Sequence, residues 1–298
     1  IVYKQSWAMT EGTLGMAARA VCLTEKHPFS TAYHTRFPEY ISARLPVPVS
    51  WGYSFVRWFH KYSGKVMVAT PSLMRELEDQ GFSNLVAWSR GVDTEAFTPL
   101  KRVEAGQPGD PFAGMARPIF LNVGRVAVEK NIEAFADLTL PGTKVIIGEG
   151  PQLEELKRKY KDVVFLGAKF GDELAACYAS ADVFVFPSLT DTFGLVVLEA
   201  MAAGTPVAAF NATGPRDVIP GSGAGTITPL DGDLAKGATD CLALSRETAR
   251  AHAETYSWRS CAEVFLENLQ PLPPPLRRRF WHKIRIRRHK PAVEKSEG

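Results

Sequence analysis

Between residues 118 and 256 the chain alternates strand-like and helix-like segments, and this rhythm limits the fold more than any other feature. Short apolar runs rich in Val, Ile and Phe predict strands over 119–123, 144–148, 163–167, 183–186, 207–210 and 225–228. Runs of this kind suit strands covered on both faces, as in a parallel sheet. Helices are predicted over 152–160, 173–180, 194–203 and 233–244. The alternation is that of a doubly wound α/β sheet. A chain of 298 residues, 45% hydrophobic and 22% charged, is an ordinary globular protein with room for one or two cores, two slightly preferred.

The first 98 residues read as part of a second α/β domain, with helices over 14–23 and 72–80 and strands over 29–33 and 66–69. That is fewer strands than a doubly wound domain uses. Residues 99–117, rich in Pro, Gly and charge, read as a linker. After the region 118–256 a C-terminal helix is expected over 257–270, and a Pro-rich, then basic tail over 271–298.

Cys22, Cys177, Cys241 and Cys261 are far apart and form no C-x-x-C, which argues against a metal cluster and for reduced, buried thiols in a cytosolic protein. No apolar run reaches the length of about 18 residues that a membrane span needs. The net charge of +3 hides an asymmetry. Residues 277–290, from Arg277 to Lys290, hold eight Lys/Arg and no acid, so the rest of the chain carries −5. A mildly acidic body with a basic tail is unlike a nucleic-acid-binding protein.

The most informative stretch runs from Val183 to Gly204. An apolar strand is followed by a polar loop, residues 188–192, and then by a helix with apolar positions at Leu195, Leu198 and Met201/Ala202. A loop entering a helix N-terminus offers free backbone N–H groups to a phosphate. Asp191 in the loop and Glu199 in the helix are eight residues apart. With a helix start near Phe193, Glu199 lies about 9 Å further along the axis. Such a pair is too far apart to share one atom but suits the two ends of an extended ligand, such as a sugar nucleotide. The plainer alternative is a surface Asp and a Glu satisfied on a helix face.

This stretch resembles the E-x7-E region of glycosyltransferase family 4, retaining enzymes of the GT-B fold, with Asp191 where most members have Glu. The resemblance implies two Rossmann-like domains facing a cleft, with Asp191 on the donor sugar, Glu199 on the nucleotide ribose, and Thr192, Phe193, Gly194 and Leu195 around the phosphates and sugar. In this frame the chain is expected to be a member lacking its N-terminal strands, since no Gly-rich turn precedes residue 29.

Other segments fit the same likeness. Asn122-Val-Gly-Arg-Val-Ala-Val-Glu-Lys-Asn131 sets Gly124, Arg125 and Lys130 after a strand, where ligands bind in open α/β sheets. Two cations there neutralise a diphosphate and stabilise it as it leaves. The family's G-R-x4-K spacing matches. Gly148 and Gly150, in Gly148-Glu-Gly-Pro151, allow a close backbone approach to a nucleotide, although Leu153 breaks the dinucleotide fingerprint. Phe165-Leu-Gly-Ala-Lys-Phe170 resembles the family's base-contacting loop, which would put Ala168 and Lys169 at the base edge without choosing uracil or guanine. Ala32-Tyr-His-Thr-Arg-Phe-Pro-Glu-Tyr40 resembles its His-Thr segment, so His34 is expected to face the reacting sugar. Thr10-Glu11-Gly12 would approach the same cleft. Ser89-Arg-Gly-Val-Asp93 matches the strand leading into the linker, with Arg90 where most members have Asn.

The implied reaction moves a sugar from a UDP- or GDP-sugar to an acceptor hydroxyl with retention. No cofactor and no metal are expected, which agrees with the absence of D-x-D or clustered His/Cys. The subgroup likeness of the His34 and Asp191 segments, to diacylglycerol and phosphatidylinositol glycosyltransferases, suggests a lipid or glycan acceptor. Phe280, Trp281 and Ile284 among the arginines of the tail suit an anionic membrane surface, the inner face of the plasma membrane being expected; a solvated basic tail is the alternative. Two rival functions are a GT-B sugar-nucleotide epimerase and a non-catalytic nucleotide- or membrane-binding fragment.

Overall fold

The computed structural model describes residues 6–8, 12–42 and 45–269. Two parallel sheets organise the chain. The first contains β1 (Ser6–Ala8), β2 (Phe29–Tyr33), β3 (Val66–Val68) and β4 (Leu85–Ala87) in the order β1-β2-β3-β4. Its helices are α1 (Thr13–Thr24), α2 (Phe37–Ser42), α3 (Val49–His60) and α4 (Pro71–Asp79). The core of this unit joins Tyr33, Val66 and Val68 of the sheet to Tyr53 and Val56 of α3 and to Leu73 and Leu77 of α4. Helix α4 starts cleanly because Thr70 accepts the Leu73 N–H and Pro71 occupies the first turn, where its missing donor costs nothing.

The second sheet contains β5 (Ile119–Val123), β6 (Thr143–Ile147), β7 (Val163–Phe165), β8 (Val183–Phe186), β9 (Val207–Phe210) and β10 (Gly225–Thr228). Their order is β10-β9-β8-β5-β6-β7, all parallel. From β5 the chain winds outward through β6 to β7, then crosses back to β8 on the other side of β5. The winding direction therefore reverses between β5 and β8, which pair through Phe120↔Val183 and Leu121↔Phe184. Its helices are α5 (Ile132–Ala136), α6 (Leu153–Lys159), α7 (Gly171–Ser180), α8 (Leu195–Ala202), α9 (Pro215–Val218), α10 (Leu234–Asp240), α11 (Arg246–Glu254) and α12 (Trp258–Glu267).

Strand alternation sends side chains to both faces. Ile119, Leu121, Phe184 and Phe186 pack with α7, α8 and α11, while Phe120, Val183 and Val185 pack with α5, α6 and α10. Both faces are covered, as the continuous apolar runs require. Helix α8 carries Val197, Leu198, Ala200, Met201 and Ala202 in the core, so it is apolar nearly all round; Leu195, expected on its apolar stripe, is exposed.

The two units are in contact. Ser257 bridges to Val92, and α12 lies against the first unit. There Trp88 Nε1 donates to the Cys261 carbonyl at 3.0 Å, Trp88 and Phe265 rings sit 5.3 Å apart, and Lys65 Nζ reaches Asn268 Oδ1 at 2.9 Å. Residues 99–117 lie against the second unit: Phe112 is buried in its core, and the Val103 N–H donates to Ser180 Oγ at 3.0 Å. Cys22, Cys177, Cys241 and Cys261 are free and buried.

Several elements escape the sequence pattern. Helix α3 holds Trp, Tyr, Val and Gly52, all poor helix formers; Gly52 is there because a Cβ would sit 2.7 Å from Pro38 Cα of α2. Strands β1 and β4 have three residues each, too few for an alternation to register. The expected helix 233–244 is α10 followed by a 3-10 turn, Cys241–Ala243. The tail 271–298 and Thr10-Glu11 lie outside the described residues.

Candidate functional site

In open α/β sheets ligands bind at the carboxyl ends of the strands where the winding reverses, and here the loops that leave β5 and β8 meet at that point. From β5 come Gly124, Arg125 and, at the end of a 3-10 turn Val128–Lys130, Lys130. From β8 come Asp191, Thr192, Phe193 and Gly194. The loops are tied together by Asn131 Nδ2 donating to the Pro187 carbonyl at 3.0 Å and Thr190 Oγ1 donating to the Glu129 carbonyl at 3.0 Å.

Lys130 Nζ and Asp191 Oδ1 form an ion pair at 2.6 Å, both side chains being largely buried. The other oxygen, Asp191 Oδ2, is buried without a hydrogen-bond partner among the described residues. Arg125 is different: 60% of its side chain is exposed, and it lies 3.5 Å from Glu129.

Helix α8 begins at Leu195, not at Phe193, because Gly194 takes the left-handed conformation (φ 82°) as its N-cap. Glu199 therefore lies one turn inside the helix, about 6 Å along its axis rather than 9 Å. Half-buried, it accepts a hydrogen bond at 3.0 Å from the fully buried Tyr178 hydroxyl of α7. Burial pushes the Glu199 carboxyl above its usual range, and the Tyr178 bond partly offsets this. Phe193 is buried against Tyr256, ring centroids 6.2 Å apart, which turns the adjacent Thr192 outward to the first unit.

The glycines serve neighbouring backbone. A Cβ at Gly148 would stand 1.8 Å from the Gly124 carbonyl oxygen, and one at Gly150 2.2 Å from that of Val126. Gly124 N–H donates to Ile147, Gly148 N–H to Gly167 and Val126 N–H to Glu149, so the loops after β5, β6 and β7 are sewn edge to edge. The requirement for glycine at 148 and 150 is thus set by the adjacent loop. Around Gly124 a Cβ would meet open space. Ala168 is half-buried, and Lys169 pairs with Glu173 of α7 beside a cavity of about 250 Å³ lined by Leu166 and Cys177.

His34, at the end of β2, meets this site from the opposite unit: Thr192 Oγ1 donates to its carbonyl oxygen at 2.9 Å. Its ring stands edge-on to Trp88, centroids 5.7 Å apart, and Nδ1 contacts a guanidinium nitrogen of Arg90. Burial first, then Arg90 and His60, lower its pKa to about 4. Arg90, where most family members have Asn, thus lies against the His34 ring.

An inter-unit polar cluster had no sequence signal. Glu76 of α4 holds both Arg36 and Arg216 of α9, Arg36 also meets Thr213, and Ser72 N–H donates to Asp217 at 3.0 Å. Partners about 140 residues apart carry no spacing from which pairing is readable. The site thus joins Lys130 with Asp191, Tyr178 with Glu199, and Thr192 with His34, while Lys169 and Arg125 are held by their own local acids.

Residues 117–244 match the family model described as glycosyl transferases group 1. The sulfoquinovosyl transferase SQD2 of Arabidopsis thaliana is 34% identical over 280 residues, covering 85% of this chain and 54% of that protein. A GDP-mannose-dependent alpha-mannosyltransferase of Mycobacterium tuberculosis (strain CDC 1551 / Oshkosh) is 34% identical over 211 residues, covering 68% of this chain and 54% of that protein. The chain spans about half the length of these relatives. Among solved structures, Anabaena Alr3699/HepE in complex with UDP superposes with a TM-score of 0.70 at 17% identity, over 88% of this chain and 78% of that one. Sucrose-phosphate synthase (tll1590) from Thermosynechococcus elongatus gives 0.70 at 21% identity, over 88% and 72%. The two facing parallel sheets are those of the GT-B fold, and the chain belongs to the group 1 glycosyl transferases of family 4 type, through residues 117–244 above all.

Proposed function

We propose that the chain belongs to a retaining glycosyltransferase that moves a sugar from a UDP- or GDP-sugar to an acceptor hydroxyl, the acceptor being a membrane lipid such as diacylglycerol or a glycolipid. The observation that carries this reading is the meeting, at the winding reversal of the second sheet, of Lys130 with Asp191 beside the exposed Arg125. Two cations and one carboxylate at that point suit a diphosphate joined to a sugar.

In this reading Arg125 and Lys130 take the diphosphate and stabilise the charge that grows on it as the glycosidic bond breaks. Asp191 orients the donor sugar through its unpartnered oxygen. Glu199, steadied by Tyr178, accepts from the ribose hydroxyls, and His34 donates to a sugar hydroxyl from across the cleft. Gly124, Gly148 and Gly150 keep the loops low enough for the nucleotide to lie over them, with Ala168 and Lys169 beside the base. The reaction proceeds without a metal ion, the departing diphosphate helping to deprotonate the acceptor. The names of the relatives support these donor and acceptor classes: GDP-mannose, sulfoquinovose and phosphatidylinositol dimannoside occur among them, and UDP in the solved complex. Among the described residues no helix is long and apolar enough to cross a membrane.

Isothermal titration of the chain with UDP and GDP, beside Glu199→Ala, tests the site. One nucleotide binds and Glu199→Ala weakens it; binding of neither nucleotide sinks the reading. Flotation with anionic vesicles tests the membrane part, which fails if deleting residues 277–290 leaves binding unchanged.

A further inference from the structure

We propose that Arg90 is a positioning residue that fixes His34 in the tautomer with its proton on Nε2, which makes His34 a hydrogen-bond donor into the cleft. The inference rests on the reading of His34 given above and deepens it.

The argument begins with donors and acceptors. Nη2 of Arg90 lies against His34 Nδ1. A guanidinium has N–H donors and no acceptor and keeps its proton in proteins, so Nδ1 must supply a lone pair. A neutral imidazole carries one proton, which is then on Nε2. That nitrogen is buried and finds no acceptor among the described residues. A buried N–H without a partner, beside the loop that carries Asp191 and Thr192, points to an oxygen of a bound molecule.

Arg90 is itself held in place. Its guanidinium lies 4.4 Å from the Trp88 ring centroid, and Nη1 donates to the Trp88 carbonyl at 3.4 Å. The same Trp88 ring meets His34 edge-on, so one aromatic side chain sets both partners. On the other side Thr192 holds the His34 carbonyl at 2.9 Å. The groups facing the imidazole are cationic or neutral, Arg90 and His60, and protonation of Nδ1 would put two cations in contact. An Asn at position 90 has both a donor and an acceptor, and would leave either tautomer open.

The test is a long-range 1H–15N NMR spectrum of the ring nitrogens in the 298-residue chain, with His34 assigned by its loss in His34→Gln. In the wild type Nδ1 resonates in the unprotonated range and Nε2 in the protonated range. Arg90→Met keeps an apolar stem over Trp88 without donors, and gives a mixture of tautomers. Arg90→Lys restores a single donor and the Nε2–H form. A wild-type spectrum with the proton on Nδ1 overturns the proposal without any variant, as does an unchanged single tautomer in a folded Arg90→Met. The spectra are taken without nucleotide, so failure of the UDP and GDP titrations leaves this result standing. If both readings hold, Arg90→Met lowers kcat at least tenfold while the nucleotide Kd stays within twofold.

Discussion

Lys130 and Asp191 are joined at 2.6 Å, a cation from the loop after β5 and a carboxylate from the loop after β8. The two groups assigned to the diphosphate and to the donor sugar thus hold each other at the winding reversal. Charge-assisted bonds of this kind contribute about 1.5–3 kcal/mol each. Lys130→Met is expected to weaken nucleoside diphosphate binding roughly ten- to a hundredfold. Asp191→Asn releases Lys130 to the diphosphate, so binding is held or tightened while sugar transfer falls. Titration calorimetry with transfer assays on both variants checks this, and equal loss of binding in both contradicts it.

Tyr178 supports Glu199 from a fully buried position. In Tyr178→Phe the carboxylate loses its donor, and its pKa moves further up because that bond lowers it. Nucleotide affinity is expected to drop by a factor of about 3–10, with about 1–2 kcal/mol of stability. The readouts are calorimetry for the first and urea midpoints at constant slope for the second. Unchanged affinity would separate Tyr178 from the ribose site.

Gly148 and Gly150 are predicted to tolerate no side chain. Gly148→Ala puts a methyl 1.8 Å from the Gly124 oxygen, and Gly150→Ala one at 2.2 Å from the Val126 oxygen. Backbone rather than a flexible side chain is in the way, so each costs about 1–3 kcal/mol or more. Gly124→Ala meets no atom but places a side chain on a backbone at φ 158° that such residues rarely adopt, so it is expected to cost stability through backbone strain rather than a clash, and to disturb nucleotide binding as well. Thermal unfolding beside UDP and GDP titration distinguishes the two outcomes.

The pH dependence of stability carries two opposed contributions. His34 titrates at about 4 in the fold against 6.5 when unfolded. Between those values the unfolded chain binds the extra proton, so acidification from 6.5 toward 4 removes stability, at most about 3 kcal/mol and less after solvent screening. Glu199 has its folded value raised above 4.5; its contribution is full below 4.5 and is lost as pH rises through the raised value. Denaturant midpoints across pH 4–7 are expected to flatten at the acid end in His34→Gln and to steepen in Glu199→Gln, since each variant removes one of the two opposed slopes. Parallel curves for all three proteins would contradict both assignments.

The βα rhythm and the spacing of chemistry-bearing residues were legible from sequence because both are local. Strands β5, β8, β9 and β10 have the expected bounds, since each is an apolar run between turn residues. Lys130, Asp191 and Glu199 stand out in motifs short enough to read, and the GT-B fold and family follow from them. Weak local signals hid α3, whose residues are poor helix formers held by Pro38 and the core of the first unit, and the three-residue strands β1 and β4.

By itself, then, the sequence determined the alternation of elements and the parallel sheet, and singled out Lys130, Asp191 and Glu199 as candidates for the donor site, through periodicity and short-range spacing. Only the tertiary structure decided who pairs with whom. It set Lys130 on Asp191, Tyr178 under Glu199, Arg90 on His34 and Glu76 between two arginines, and it made glycine obligatory at 148 for the sake of Gly124. Partners 21 to 140 residues apart meet because the winding of the sheet and the docking of α12 bring their loops together, and hydrogen bonds and backbone contacts act over a few ångströms in space whatever the separation along the chain.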